Sequence, residues 1–210
     1  NQRNKREKLA ELGALLAFSA NRNGDKVGLL LFSDKTEKYL PPAKGQKHVL
    51  RILRDILFHQ NLGIGTDLNE GLRFLNQVMR RRAVVFLMSD FIIPEYDSDE
   101  ESMENLFLKE LSATRKKHDL VCCQIHDSVE KQLPPVGRVL FKDSETGETV
   151  MVNTSQEKFR SLYQKNNKLA QESFSRELRR RGIENFEFST SSDYVKDLQE
   201  FFHTRGSRRR

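Results

Sequence analysis

Residues 83–90, AVVFLMSD, decide the fold, because six apolar residues follow one another without interruption and the run ends at an acidic residue. A run this short, apolar at both odd and even positions, predicts a strand that is covered on both faces. Residues 27–32 (VGLLLF) and 120–125 (LVCCQI) have the same character. Buried strands of this kind are typical of parallel sheets flanked by helices, so the sequence predicts an α/β protein.

The segments between these strands have the spacing of amphipathic helices. Apolar residues recur at intervals of three and four over residues 6–20, 46–58 and 103–117, and Asp67 precedes a further segment of this kind at 68–81. Because helix and buried strand alternate, we expect a three-layer, doubly wound, mostly parallel sheet with crossover helices.

The pattern changes in the last third of the chain, where a hairpin is predicted at 139–141 and 148–152. The hairpin is followed by a long charged helix at 155–181, a strand at 183–188 and a helix from Asp193 to Phe202. We expect one domain over 1–210, comprising the sheet and crossover helices (1–132), a C-terminal elaboration (133–204) and a basic tail (205–210).

The net charge of +6 is concentrated at the two ends of the chain. Residues 1–8 contribute +3 and residues 205–210 contribute +4, which leaves −1 for the body. With 31% charged and 37% hydrophobic residues arranged in periodic runs, the composition excludes global disorder and favours a charged globular protein. The basic ends are interpreted as solvated tails.

Cys122 and Cys123 are adjacent within an apolar run, which predicts core positions and excludes a disulfide framework. The apolar runs are shorter than the ~20 residues of a membrane span. The polar, basic residues 1–8 lack the pattern of a signal peptide. We therefore expect a cytoplasmic protein.

Two candidate ligand residues follow predicted strands or loops. Asp90 ends the run AVVFLMSD, and Thr66 follows a glycine-bearing loop directly before Asp67. Ligands of doubly wound sheets bind where strands end, and hydroxyl and carboxylate oxygens suit Mg²⁺. The alternative is structural, because Thr66 or Asp67 can cap a helix and Asp90 can terminate a strand.

Several strings, in order, resemble the bacterial DUF-fifty-eight family, whose members contain a von Willebrand factor type A-like domain. They are LAFSANRNGDKVGLLLFSD (16–34), GQKHVLRILRDIL (45–57), GTDL (65–68), RRAVVFLMSDF (81–91), HDLVCCQIHD (118–127), LPPVG (133–137), FKDSETGE (141–148) and STSSDYVKDLQEFF (189–202). The resemblance spans nearly the whole chain.

The resemblance implies a metal-ion-dependent adhesion site for Mg²⁺, in which a partner's carboxylate completes the coordination. Thr66 and Asp90 match the threonine and the later aspartate of that site. Its Asp-x-Ser-x-Ser string does not occur where the family has its first strand, so we expect the chain to lack that strand and the site to be incomplete and weak. We also expect self-association through the strand edges exposed by its loss.

The resemblance further implies a non-enzymatic protein–protein interaction domain that works as an adaptor with a MoxR-type AAA+ ATPase. No catalytic residue is assigned, because the five histidines are scattered and no nucleophile triad or phosphate-binding glycine loop is present. His126 and Asp127 follow a predicted strand, but neighbours in an extended chain point in different directions.

Two alternatives from other classes remain. One is a metal-assisted hydrolase that uses Asp90 and an acidic stretch formed by Glu95, Asp97, Asp99, Glu100, Glu101 and Glu104. That stretch lacks the glycine of a calcium loop, and a solvated loop explains it more simply. The other is a basic nucleic-acid-binding module, against which the mixed charges of the body argue.

Overall fold

The structure, a computed structural model, describes residues 5–60, 63, 65–92, 103–142, 149–191 and 193–208. The helices are α1 (Lys5–Arg22), α2 (Gln46–Phe58), α3 (Leu68–Val78), α4 (Met103–Lys117), α5 (Ser128–Lys131), α6 (Glu157–Arg180) and α7 (Tyr194–Arg208). The strands are β1 (Val27–Phe32), β2 (Thr36–Ala43), β3 (Val84–Ser89), β4 (Asp119–His126), β5 (Arg138–Lys142), β6 (Thr149–Asn153) and β7 (Glu184–Ser189). The predicted α/β class is confirmed.

The described residues group into two compact units, where the sequence predicted one domain divided after residue 132. The first unit runs up to Val85 and includes Ile92 and the stretch that ends at Leu120. The second holds Phe86–Phe91 and the chain from Val121 onward.

In the first unit, β1 pairs antiparallel with β2, with Leu30 opposite Tyr39. Strand β2 was not predicted from the sequence, because Pro41 and Pro42 lie within it and proline is rare in strands. Proline lacks the N–H that a central strand donates on both sides, but an edge strand tolerates it. Among the described strands β1 is the one neighbour of β2, so the prolines lie on an edge strand.

The helices of the first unit bury the apolar faces that their periodicity predicts. Val49 and Ile52 of α2 and Leu12 of α1 are buried. Leu15 and Phe18 of α1 are 38% and 41% exposed. Between α3 and α4, the Asn76 amide donates to the hydroxyl of Thr114 at 2.8 Å.

The second unit contains a three-stranded sheet in the order β3-β4-β7, in which β4 and β7 run parallel. The central strand β4 is buried along nearly its whole length. The rings of Phe186 and Phe201 lie 5.4 Å apart and connect β7 to α7. Helix α6 ends at Arg180, one residue before its predicted end, and is followed by Gly182, whose φ is +65°. The Ile183 N–H donates to the Leu178 carbonyl at 2.9 Å.

The predicted single sheet is not seen among the described residues, whose strands fall into three sheets: β1-β2, β3-β4-β7 and β5-β6. The expectation that the runs at 27–32 and 83–89 are covered on both faces is also wrong. Strand β1 is half-buried, and Leu87 is the one buried residue of β3. Among the described strands, β4 has a strand on each side, whereas β1 and β3 each lie at a sheet edge. Side chains on an edge strand have fewer neighbours to cover them.

The last helix extends beyond its predicted end at Phe202 to Arg208. Arg205, expected to begin a solvated basic tail, is buried, and its Nε lies 2.9 Å from Oε2 of Glu184 on β7. A run of arginines resembles a tail in composition, but here its first member neutralises a carboxylate inside the second unit.

Candidate functional site

Thr66 lies directly before α3 and its side chain is exposed. The next residue, Asp67, caps the helix, because its Oδ1 accepts from the N–H groups of Asn69 at 2.8 Å and Glu70 at 3.3 Å. The capping role proposed for this pair therefore belongs to Asp67, and the hydroxyl of Thr66 lies at the surface beside the helix N-terminus.

The loop that carries Thr66 is held against the end of β1. The Asp67 N–H donates to the Ser33 carbonyl at 2.8 Å. At Gly63 the approach is so close that an added Cβ would lie 2.0 Å from Oδ1 of Asp34 and 2.1 Å from Oγ of Ser33. Only glycine fits this contact, which explains why a glycine stands at this position.

A buried carboxylate fastens the same loop to β2 and to the end of α2. The Glu37 side chain is almost fully buried. Its Oε2 bonds to Nε2 of His59, and its Oε1 accepts from the Gly63 N–H at 3.2 Å. Burial of a carboxylate is expensive unless its oxygens are satisfied, and here each oxygen has a partner. This cluster was not predicted from the sequence, since His59 and Gly63 are 22 and 26 residues away from Glu37.

Asp90 lies in the second unit, in a tight turn that follows β3. The Phe91 N–H donates to Oγ of Ser89 at 3.1 Å, and the amide of Gln124 donates to the Asp90 carbonyl at 3.4 Å. Phe91 has a φ of 53°, a left-handed conformation that costs about 1–3 kcal/mol in a residue with a bulky side chain. Its ring is buried 5.0 Å from that of Phe174, and this packing holds the turn.

His126 and Asp127 end the neighbouring strand β4. The Asp127 carboxylate accepts from the Val129 N–H at 3.1 Å and from the Thr190 hydroxyl at 3.2 Å. It therefore caps α5 and ties the end of β4 to the end of β7. These contacts give Asp127 a structural role.

The two residues expected to bind Mg²⁺ belong to different units, Thr66 to the first and Asp90 to the second. Within the described part of the chain, no group of three or more His, Cys, Asp or Glu residues is arranged to hold a metal ion. Asp67 and Asp127 serve as caps, so Thr66 and Asp90 supply one hydroxyl and one carboxylate. The affinity for hard cations depends on ligand charge and number. These residues do not fit a tight Mg²⁺ site by themselves.

The acidic stretch of the hydrolase alternative lies outside the described residues at 95–101, and Glu104 lies in α4.

The cysteines occupy the core positions that the sequence predicted. Both thiols are buried and free in β4. Burial raises the pKa of both, that of Cys123 to about 12, although the positive charge of Arg205 acts in the opposite direction on Cys123. A thiol with so high a pKa is a poor nucleophile at neutral pH.

His118, at the end of α4, is buried and satisfied on one side alone. Its Nδ1 accepts from the Ala83 N–H at 3.4 Å, and its Nε2 has no hydrogen-bond partner among the described residues. Burial lowers its pKa, and the charges of Lys117 and Arg82 lower it further. The ring is therefore kept neutral inside the first unit.

The helices and parallel strands described above define an α/β protein whose candidate residues lie at strand ends and in the loop before a helix. A family model described as "Protein of unknown function DUF58" matches residues 1–173. The chain belongs to this family.

Two curated relatives are similar in sequence, and one solved structure is similar in fold. The uncharacterized protein Rv1480 of Mycobacterium tuberculosis is 25% identical over 145 residues, which are 68% of this chain and 43% of the relative. This chain thus spans less than half the length of that relative. The uncharacterized protein MAV169 of Mycobacterium avium is 24% identical over 79% of this chain and 93% of its own length.

The crystal structure of conserved hypothetical protein BatB from Bacteroides thetaiotaomicron is similar in fold, with a TM-score of 0.51 and 14% identity. The similarity covers 96% of this chain and 88% of the other. None of the described helices has the length and apolar character that crossing a bilayer requires.

Proposed function

We propose that this chain is a non-enzymatic protein–protein interaction domain of the von Willebrand factor A kind, acting in the cytoplasm as an adaptor beside a MoxR-type AAA+ ATPase. Membership of the DUF58 family supports the class of protein, and the likeness to BatB supports the fold. The ATPase enters through the sequence resemblance described above. The function of a fold resides in its surfaces, so the proposal depends on what this chain exposes.

The observation that carries an interaction role is the hairpin β5–β6. Leu140 lies opposite Met151, and their side chains are 60% and 67% exposed. On the other face, Phe141 lies opposite Val150, which is also 60% exposed. A two-stranded hairpin that leaves apolar pairs in water is marginally stable alone, and exposed apolar patches mark interaction sites.

The base of this hairpin is held firmly, which favours a docking element over a frayed loop. The Thr154 N–H and hydroxyl both donate to the Gly137 carbonyl, at 2.7 and 2.9 Å. The Val136 N–H donates to the Thr154 hydroxyl at 3.1 Å, and Arg160 of α6 donates to the Thr154 carbonyl at 2.7 Å. The exposed pairs are therefore presented from an ordered base.

Four described side chains favour the proposed non-enzymatic role over a catalytic one. The raised pKa of both thiols keeps them protonated, and Asp67 and Asp127 are engaged in capping.

For the nucleic-acid alternative, the pairing of Arg205 with Glu184 removes one charge from the basic end. That alternative requires binding that survives deletion of both basic ends, which a gel-shift titration measures.

The test is binding to the purified MoxR-type ATPase of the same bacterium, measured by isothermal titration calorimetry. We expect a complex that the double variant Leu140→Ser, Met151→Ser weakens at least tenfold, because truncating apolar anchors removes most of their burial. The matched control is Leu162→Ser, Leu169→Ser on α6, where the side chains are 56% and 52% exposed. No complex with the wild-type protein, or equal weakening by both variants, would contradict the proposal.

Self-association is a second part of the proposal. Strand β1 pairs with β2 alone and β3 with β4 alone among the described strands, so each has one edge that no described strand pairs with. Multi-angle light scattering over a concentration series should show an increase in mass with concentration. A constant monomer mass would remove this part and leave the adaptor role intact.

A further inference from the structure

One side of α2 is exposed and carries both cationic and apolar residues. Six residues share it, at positions i, i+3, i+4, i+7, i+10 and i+11, and are named here the α2 stripe: Lys47, Leu50, Arg51, Arg54, Leu57 and Phe58. Residues at these intervals lie on one side of a helix. The opposite side, with Val49 and Ile52, is buried in the first unit.

The apolar members of the stripe are unusually exposed for their size. Phe58 is 76% exposed, and Leu50 and Leu57 are 50% and 47% exposed. Lys47, Leu50, Arg51 and Arg54 line a shallow depression of about 330 Å³. Phenylalanine and arginine are enriched at the centres of protein interfaces, so this composition is typical of a docking surface.

The positive charge of the stripe is compensated only in part. Asp55 is the one carboxylate that the described structure places near it, and its closest partner is Lys38, at 3.0 Å. Arg54 and Arg51 lie farther away, at 3.6 and 3.9 Å. Both guanidinium groups are more than half exposed. A partner's carboxylates can therefore bind them without breaking a short ion pair.

We propose that the α2 stripe docks an acidic amphipathic helix of a partner protein, an inference that rests on the proposed interaction role and supplies the chemistry of a partner. Lys47, Arg51 and Arg54 follow one another at the intervals that place side chains on one face of a helix. Carboxylates spaced in the same way on a partner helix match them, while apolar residues beside those carboxylates cover Leu50 and Phe58.

An anionic membrane surface is the competing occupant, and the number of charges argues against it. Clusters that bind anionic lipids carry roughly four to eight cations, and the α2 stripe carries three. A partner helix presents carboxylates at fixed intervals, so that both arginines can make bidentate contacts at once while Phe58 is covered.

The test uses the full chain and a defined probe, a fluorescein-labelled amphipathic peptide stapled as a helix, with glutamates at three- and four-residue intervals beside a leucine face. Its control peptide carries glutamine at each glutamate. The protein variant is Arg51→Gln, Arg54→Gln, and the matched control is Lys165→Gln, Lys168→Gln on the exposed side of α6. A third variant, Phe58→Ala, removes the apolar anchor, and circular dichroism verifies that all variants are folded.

Fluorescence anisotropy should show micromolar binding of the acidic peptide, at least tenfold weaker for the glutamine peptide and for Arg51→Gln, Arg54→Gln. Phe58→Ala should weaken binding about fivefold to tenfold, and the α6 control should leave it unchanged. Equal binding by both peptides or by both double variants would overturn the inference. So would preferential binding to vesicles of 70% phosphatidylcholine and 30% phosphatidylglycerol. If the ATPase binds but the peptide does not, the proposed function stands and only the α2 stripe loses its role.

Discussion

Replacing Gly71 by alanine has two opposing effects on stability, a gain in helix propensity and a steric clash with a neighbouring ring. Gly71 lies in the interior of α3, and an added Cβ would lie 2.8–2.9 Å from three ring carbons of Phe32 on β1. Alanine in a helix interior is favoured over glycine by about 1 kcal/mol. Nonbonded carbons prefer a separation of about 3.5 Å or more, so the ring must retreat by about 0.7 Å. Overpacking of this kind costs about 1–3 kcal/mol, and we expect a net loss of about 0–2 kcal/mol.

The matched control is Gly13→Ala in the interior of α1, where an added Cβ would lie 3.2 Å from a single terminal carbon of Ile56. A lone methyl group moves more easily than a ring face, so this variant should be neutral or more stable. Urea unfolding followed by circular dichroism at fixed protein concentration measures both. In a Phe32→Leu background Gly71→Ala should cease to destabilise. If Gly71→Ala stabilises the protein as much as Gly13→Ala does, the packing argument is wrong.

Three further predictions concern buried polar groups. Because the pKa of His118 is lowered from 6.5, the unfolded chain takes up a proton before the folded one as the pH falls. The urea midpoint should therefore decline below about pH 6.5, and less so in His118→Asn; an unchanged slope would refute this. With its pKa raised to about 12, Cys123 should react with a maleimide only upon unfolding, and rapid native labelling would contradict its burial. Arg205→Met should lower the free energy of unfolding by about 1–3 kcal/mol, since it leaves the Glu184 carboxylate unpaired but 30% exposed to water. Arg180→Met, which removes a pair at the surface, should lower it by less than about 0.5 kcal/mol. Equal losses in urea unfolding would show that burial of the pair is unimportant.

The regular elements could be predicted where periodicity was strong, and errors arose where composition misled. Helix α2 begins and ends at its predicted residues, and β4 is as buried as its apolar run indicated. Strand β2 was missed because prolines usually interrupt strands, although an edge position tolerates them. The last turn of α7 was missed because the arginines after residue 204 resemble a tail, and only the fold brings Glu184 to Arg205.

The candidate site was predictable only in part, for a related reason. Thr66 and Asp90 stand in recognisable local strings, so sequence alone located them. The contacts of Glu37 with His59 and Gly63 join residues far apart in the chain, and no short-range spacing announces them. Long-range polar contacts of this kind depend on how the strand and helix pack, which periodicity does not specify.

The Glu37 carboxylate connects the end of the α2 stripe to the loop that carries Thr66. Phe58 at the end of the α2 stripe is followed at once by His59, whose ring bonds to one oxygen of Glu37, while the other oxygen holds the Gly63 N–H three residues before Thr66. A partner that displaces the end of α2 must therefore either carry the Gly63 loop with it or break a buried hydrogen bond. The end of the α2 stripe and the loop that carries Thr66 thus depend on the same buried carboxylate.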